Sequence, residues 1–410
     1  MKYLIVLGDG MADLPVPELN GLTPLQVADK PEIDRIARQG LCGFVNTIPA
    51  GLAPGSDTAN MAVMGYDPRR YYTGRSPLEA ISMSIEMEPD DIAFRTNLVT
   101  LNEGDTYEER VMLDHSSDEI LSNDAARLIE LINEHLAEGD IRFYPGKSYR
   151  HCLIWKNGPL DVRLVPPHDI LGQKITEYLP VGDHAERILQ LQKASARLLP
   201  EHPVSKSRAS RGLNAANSIW IWGQGKRPEL PNLSESFGIK GSVISAVDLI
   251  QGIGICAGLH VVDVPGATGT IDTNYKGKAR AAINEFQRGQ DYVFIHIEAP
   301  DESGHRAEVD NKVKSISLID QEILKPIWEH LEESRLSTGE DYRLLVLPDH
   351  PTPLTLRTHT GDPVPFALYS SDGRYNAPTS GYDEIRARES GVYLDEGFRL
   401  FGKFIKGEEI

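Results

Sequence analysis

Cysteine is nearly missing from this chain: Cys42, Cys152 and Cys256 stand alone among 410 residues. An odd number without paired spacing supports neither a disulfide framework nor a thiolate zinc site, and a reducing cytoplasm is the expected setting. Long apolar runs are missing too, none approaching the ~20 residues that a membrane helix needs. The start, Met1-Lys2-Tyr3-Leu4-Ile5-Val6-Leu7-Gly8-Asp9, is too short an apolar run for a signal peptide and reaches an acid too soon. Positive charge is in deficit, with 42 Lys and Arg against 60 Asp and Glu and a formal net charge of −18. That balance argues against nucleic acid or an anionic membrane as the main partner. Neither repeats nor low-complexity tracts occur.

What is present is a recurring pattern. Three apolar, strand-like runs each stop at an acid or an acid/histidine cluster: Tyr3–Leu7 before Gly8-Asp9-Gly10, Tyr292–Ile297 before Asp301-Glu302-Ser303-Gly304-His305, and Leu344–Leu347 before Asp349-His350, with His359 a little further on. Strands of a parallel sheet that end in such residues gather them at the carboxyl edge, where open α/β sheets place their ligands. Three Asp and three His are enough oxygen and imidazole donors for two metal sites.

At 410 residues the chain exceeds the usual ceiling for one core, so two domains are expected. Strand and helix signals alternate at both ends. Thr23-Pro24 reads as a helix start, with one helix running through Ile33, Ile36 and Ala37 to Gly40 and a second strand near Gly43–Ile48, a βαβ opening. Later come strands at Ser242–Ala246, His260–Val264, Tyr292–Ile297, Leu344–Leu347 and Phe366–Tyr369, with helices between. The middle mixes short strands at Ala93–Leu101, Arg142–Tyr144, His151–Lys156 and Ile219–Trp222 with helices at Asn123–Leu136 and His184–Leu198. The expectation is an α/β fold: a mostly parallel sheet flanked by helices, residues 1–89 and 227–410, with a smaller α+β domain, 90–226, inserted as a substrate-binding lid.

A hydroxyl stands out in Pro54-Gly55-Ser56-Asp57-Thr58-Ala59-Asn60. Ser56 follows a glycine turn and precedes a helix, where unpaired N–H groups and the positive helix pole favour an alkoxide or phosphate. Serine in that place is commonly only an N-cap. Coordination to a divalent metal is one way to activate so weak a nucleophile. Thr58 competes but lies inside the helix. Asp301 and His305, spaced i, i+4, face the same way on a helical turn. Gly252, Gly254 and Gly258 sit within an apolar helical segment, which suits close helix packing rather than dinucleotide binding, and Gly266–Thr270 lacks the ending of a phosphate loop.

As a set, Asp9, Gly55-Ser56-Asp57-Thr58, Asp301-x-x-x-His305, Asp349-His350 and His359-Thr360-Gly361-Asp362-Pro363-Val364-Pro365 resemble the alkaline-phosphatase-like metalloenzymes. Within them the chain resembles the cofactor-independent phosphoglycerate mutases of the archaeal-type branch, down to Leu7-Gly8-Asp9-Gly10-Met11-Ala12-Asp13, Gly65-Tyr66-Asp67-Pro68 and Tyr72-Thr73-Gly74-Arg75. The resemblance implies two divalent metal ions, Mn²⁺ first with Mg²⁺ or Zn²⁺ as alternatives. Asp301, His305 and His359 would hold one, and Asp9, Ser56, Asp349 and His350 the other. Ser56 would be phosphorylated in turn as 3-phosphoglycerate and 2-phosphoglycerate interconvert, so the partner is a small phosphorylated metabolite. The chain departs from the mutase pattern at Asn60, where a histidine is usual, and in Leu113–Glu119, which carries no arginine. These departures resemble a branch proposed to act as a homoserine kinase with a nucleotide donor, the alternative reading. His115, Arg150, Arg211, Lys226 and Arg227 are the candidates for substrate contacts.

Overall fold

Strands that read as unbroken apolar runs are those covered on both faces. The computed structural model describes all 410 residues and contains strands β1 (Lys2–Gly8), β2 (Leu41–Val45), β3 (Asp91–Leu101), β4 (Met112–Asp114), β5 (Ile141–Tyr144), β6 (Arg150–Lys156), β7 (Val162–Arg163), β8 (Val181–Gly182), β9 (Ser218–Lys226), β10 (Gly241–Ile244), β11 (His260–Val261), β12 (Tyr292–Ile297), β13 (Tyr342–Leu347), β14 (Val364–Ser370) and β15 (Tyr393–Leu394). The chain divides into two compact units, Met1–Tyr72 with Glu229–Ile410, and Thr73–Pro228.

The first unit is built on an eight-stranded sheet in the order β11-β10-β12-β1-β13-β14-β2-β15. All strands run parallel except β14, which is antiparallel to both neighbours. The mostly parallel α/β sheet expected from the alternation is therefore present. β1 lies at its centre, with Leu7 opposite His296 of β12 and Leu347 of β13, so the three strands end level. Helices cover the sheet with apolar faces such as Ile33, Ile36 and Ala37, or Ala279, Ala282 and Phe286. Gly254, in the helix Asp248–Cys256, lets that helix close on the sheet: a Cβ there would stand 2.5 Å from Val243 Cγ1. No helix is long and apolar enough to cross a membrane.

Three expectations need correction. The helix predicted from Thr23 to Gly40 is two helices, Pro24–Val27 and Pro31–Gln39, because the ring of Pro31 disfavours the helical conformation at Lys30. β1 and β2 do not pair as a simple βαβ unit, since β13 and β14 stand between them. The first domain boundary falls at 73 rather than 90, because the helix Ser76–Ser82 packs on the second unit's sheet and its Glu79 pairs with Arg95 of β3.

The second unit centres on β3, which pairs antiparallel with β6, β9 and β4, while β5 pairs antiparallel with β6. Period-2 alternation sends Ile92, Phe94 and Leu98 into a core with Leu128, Ile129 and Ile132 of the helix Ser122–Leu136 and Ile188 and Leu191 of the helix Ala185–Leu198. Arg95 and Asn97 consequently point to the opposite face.

Candidate active site

The level ends of β1, β12 and β13 put Asp9, Asp301 and the pair Asp349-His350 side by side. Asp301 and His305 lie in the short helix Ala299–His305 that follows β12, and His359 comes from the loop after β13. Gly10 makes the convergence possible: its φ is +62°, and a Cβ there would stand 2.5 Å from Thr352 Oγ1 and 2.9 Å from Asp301 Oδ1. Asp9, Asp349 and His350 are all but sealed from solvent.

Ser56 is the first residue of the helix Ser56–Val63, and Gly55, not Ser56, is its N-cap. The serine side chain makes no capping bond. It donates instead to Asp9 Oδ2 at 3.3 Å and lies 3.2 Å from His350 Nε2. Thr58, the competing hydroxyl, bonds to the carbonyls of Ala53 and Gly55. His350 Nε2 is 3.5 Å from Asp9 Oδ1 and 3.4 Å from Asp349 Oδ2. Asp301 reaches His305 Nε2 and His359 Nε2, each at 3.3 Å, and those two nitrogens are 2.9 Å apart. All seven residues singled out in the sequence thus meet in one cluster. Two donor groups within it, Asp301/His350/His359 and Asp9/Asp349/His350, bring their ligand atoms within 4.8 Å of one another. The expected division into two separate sets differs here in two respects: His350 lies within reach of both groups, and His305, expected beside Asp301 and His359, belongs to neither, although its Nε2 is 3.3 Å from Asp301.

The electrostatics suit a divalent cation. Burial, then the charges of Asp349, Asp301 and Glu298, push the Asp9 carboxyl well above the usual carboxylate range, and its Oδ1 is buried with no hydrogen-bond partner. An orphaned oxygen among crowded acids and imidazoles is the donor chemistry that a divalent metal satisfies. Burial also opposes ionisation of Asp301, but His305 and His359 outweigh it and hold that carboxyl low. Asp301 in turn raises His305 to about 9, against burial. Burial lowers His350.

Other residues in the cluster escaped the sequence reading. His296, within β12, places Nε2 2.8 Å from Asp9 Oδ2 and Nδ1 3.3 Å from Ser245 Oγ. Burial lowers its pKa to about 3, so a neutral imidazole stands against Asp9. Its one available signal was a polar residue inside an otherwise apolar strand, level with Leu7 and Leu347, two residues before Asp9 and Asp349. Thr352 donates to Asp301 Oδ1. Asn60, the departure from the mutase pattern, donates to Asp349 Oδ2 at 2.8 Å and to the Ser56 carbonyl at 2.9 Å.

The second unit has a basic cavity of its own, about 260 Å³, lined by Arg75, Arg95, Arg150, His115, His168, Asn97, Tyr149 and Trp222. His115 and Arg150 were expected as substrate contacts, whereas Arg75, Arg95 and His168 were not. Arg95 and Asn97 arrive there by strand alternation, and Arg95 stacks over Trp222. Three expected contacts lie elsewhere. Arg211 ends the helix Pro203–Ser210 and donates to the Ser207 carbonyl, Lys226 pairs with Asp90 at 3.6 Å, and Arg227 is exposed.

A parallel α/β sheet whose strand ends collect carboxylates and imidazoles around a serine hydroxyl has the apparatus for metal-assisted phosphoryl transfer. The family model described as 2,3-bisphosphoglycerate-independent phosphoglycerate mutase matches residues 37–205. A probable 2,3-bisphosphoglycerate-independent phosphoglycerate mutase of Geobacter sulfurreducens is 49% identical over 400 residues, covering 98% of either chain. A 2,3-bisphosphoglycerate-independent phosphoglycerate mutase of Methanothrix thermoacetophila is 49% identical over 407 residues, 99% of this chain and 100% of the relative. Among solved structures, the cofactor-independent phosphoglycerate mutase of Thermoplasma acidophilum superposes with TM-score 0.67 at 26% identity over the full length of both chains. A protein of Pyrococcus horikoshii superposes with TM-score 0.81 at 27% identity, covering 100% of this chain and 98% of that one. The chain belongs to the 2,3-bisphosphoglycerate-independent phosphoglycerate mutase family.

Proposed function

We propose that this protein interconverts 3-phosphoglycerate and 2-phosphoglycerate by passing the phosphoryl group through Ser56. The observation that carries the reading is the Ser56 hydroxyl, free of any capping duty and set against Asp9 and His350 at the head of a helix. Relatives of that name at 49% identity support it.

Asp301, His305 and His359 would hold one divalent cation and Asp9, Ser56, Asp349 and His350 the other, with His350 able to serve either. Mn²⁺ is the first choice, and Mg²⁺ or Zn²⁺ the alternatives. When bound, such ions supply Lewis acidity to the serine oxygen and to the phosphoryl oxygens. In the forward half-reaction Ser56 Oγ gives up its proton and forms a bond to phosphorus as the bond to the substrate's O3 breaks, and O3 takes up a proton in its place. In the return step O2 of the retained glycerate gives up its proton and attacks the phosphoserine, and Ser56 Oγ leaves and takes a proton back. His296 and Asn60 keep Asp9 and Asp349 aimed throughout, and the helix N-terminus at Ser56 favours the negative charge that gathers there. The inserted unit's cavity has the groups for an anionic substrate: guanidinium forks match carboxylate and phosphate oxygens, and Arg75, Arg95 and Arg150 supply them from outside the arginine-free Leu113–Glu119 stretch. That cavity is the basis for giving the inserted unit the substrate-binding role. A soluble, cytoplasmic enzyme of glycolysis is the setting this function implies.

The test is direct. Metal-depleted protein resupplied with Mn²⁺ and given 3-phosphoglycerate, with no bisphosphoglycerate, is expected to form 2-phosphoglycerate. Ser56→Ala is expected to lose at least about a thousandfold in kcat, the scale on which removing a covalent nucleophile acts. No product from well-metallated protein, or full turnover by Ser56→Ala, defeats the proposal. ATP with homoserine in the same assay tests the kinase alternative.

A further inference from the structure

The cluster is assembled from four chain segments, and one buried charge pair ties together three of them, those of Asp9, of Asp301 and of Asp349. Lys312 lies in the helix Val309–Leu318, which directly follows the helix bearing Asp301 and His305. Asp13 lies in the turn after Asp9. Both side chains are fully shielded from solvent. Lys312 Nζ donates to Asp13 Oδ2 at 2.7 Å, to the Thr352 carbonyl at 2.7 Å and to the Ala12 carbonyl at 3.4 Å, which accounts for its three protons. Asp13 also accepts from the backbone N–H of Leu14 at 2.8 Å and of Leu354 at 3.2 Å.

Thr352 passes this grip on to the ligands. Its carbonyl is held by Lys312, while its hydroxyl donates to Asp301 and lies 3.3 Å from His350 Nδ1. The same ammonium therefore fixes the turn behind Asp9 and the loop behind Asp349 and His350, and it does so from the helix behind Asp301. Stability alone does not call for such a pair, since replacing a buried ion pair by well-packed apolar side chains is commonly neutral or stabilising.

We propose that the Lys312–Asp13 pair is a positioning element of the metal-ligand cluster, holding three of the four ligand-bearing segments, all but that of Ser56, in the register that binds divalent cations. The inference rests on reading the cluster as a metal centre.

The test compares wild type with Lys312→Met, which leaves Asp13 buried and unpaired, and with the double variant Lys312→Met/Asp13→Leu, which leaves no unpaired charge. Mn²⁺ is titrated calorimetrically into each metal-free protein, the electron paramagnetic resonance spectrum of bound Mn²⁺ is recorded, and thermal unfolding is followed without metal. The double variant is expected to unfold near the wild-type temperature yet to bind Mn²⁺ about 10- to 100-fold more weakly, the range for removal of groups that orient metal ligands, with an altered spectrum. Wild-type affinity and spectrum in the folded double variant overturn the proposal. So does a double variant that does not fold without metal, because the pair is then a core element only. Absence of Mn²⁺ binding by the wild type defeats the metal-centre reading itself.

Discussion

His305 sets how the cluster responds to pH. Asp301 raises its imidazole to about 9, above the ordinary value, so in the metal-free protein the imidazolium adds stability that is complete below about pH 6.5 and lost as pH climbs through about 9. A cation that takes His305 as ligand must displace this proton. Apparent Mn²⁺ affinity is therefore expected to rise with pH between about 6.5 and 9, by up to about tenfold per unit for the one proton released. Calorimetry in buffers of different ionisation enthalpy reads the proton directly, and an affinity flat across that range removes His305 from the ligand set. At this scale the residues legible in the sequence were those at strand ends, where the side chain's job follows from its position. Asn60 and His296 were not legible as partners, because a hydrogen bond to Asp349 or Asp9 depends on which strand and helix lie next to each other. Ser56 shows both sides: its place beside a helix start was readable, while its freedom from capping depends on Gly55 being the N-cap.

Among the elements, the helix Pro31–Gln39 illustrates support from a distance. Its N-cap, Lys30, makes no side-chain capping bond. Asp320, nearly three hundred residues later, accepts from the N–H of Ile33 at 2.7 Å and of Glu32 at 3.3 Å and does the capping instead. Asp320→Ala leaves the buried Ile33 N–H and the half-buried Glu32 N–H without this partner and is expected to lower stability by about 1–3 kcal/mol, read by urea denaturation; a change within error would show that the helix end finds other acceptors. Strand positions were legible from apolar runs, and most lie within a few residues of those expected. Strand direction was not: β14 looks like its parallel neighbours in sequence, and only its pairing with β13 and β2 reveals that it runs the other way.

For the whole molecule, the second unit enters and leaves the chain at one place. Thr73 Oγ1 donates to the Lys226 carbonyl at 2.6 Å, and the unit has hydrophobic cores of its own. An insertion with adjacent ends and an independent core can fold alone. Residues Thr73–Pro228, expressed separately, are expected to unfold in one cooperative thermal transition and to give dispersed amide resonances. A fragment without a cooperative transition would show that the core needs the rest of the chain. The need for a second domain followed from length, and its approximate span from the change in strand and helix pattern. The boundary at 73 did not, since a short amphipathic helix such as Ser76–Ser82 carries no mark of which core will take it.

The sequence by itself determined the α/β alternation, the strand-end acids and histidines and the serine before a helix, because each follows from local periodicity or from which residue types stand next to one another. Only the tertiary structure decided that β1, β12 and β13 end level, that His350 reaches both donor groups, and that arginines from β3, β6 and a preceding loop share one cavity. It also brought Lys312 against Asp13 and Thr352. These facts depend on sheet order and on side chains hundreds of residues apart meeting in space, which no local stretch of the chain encodes.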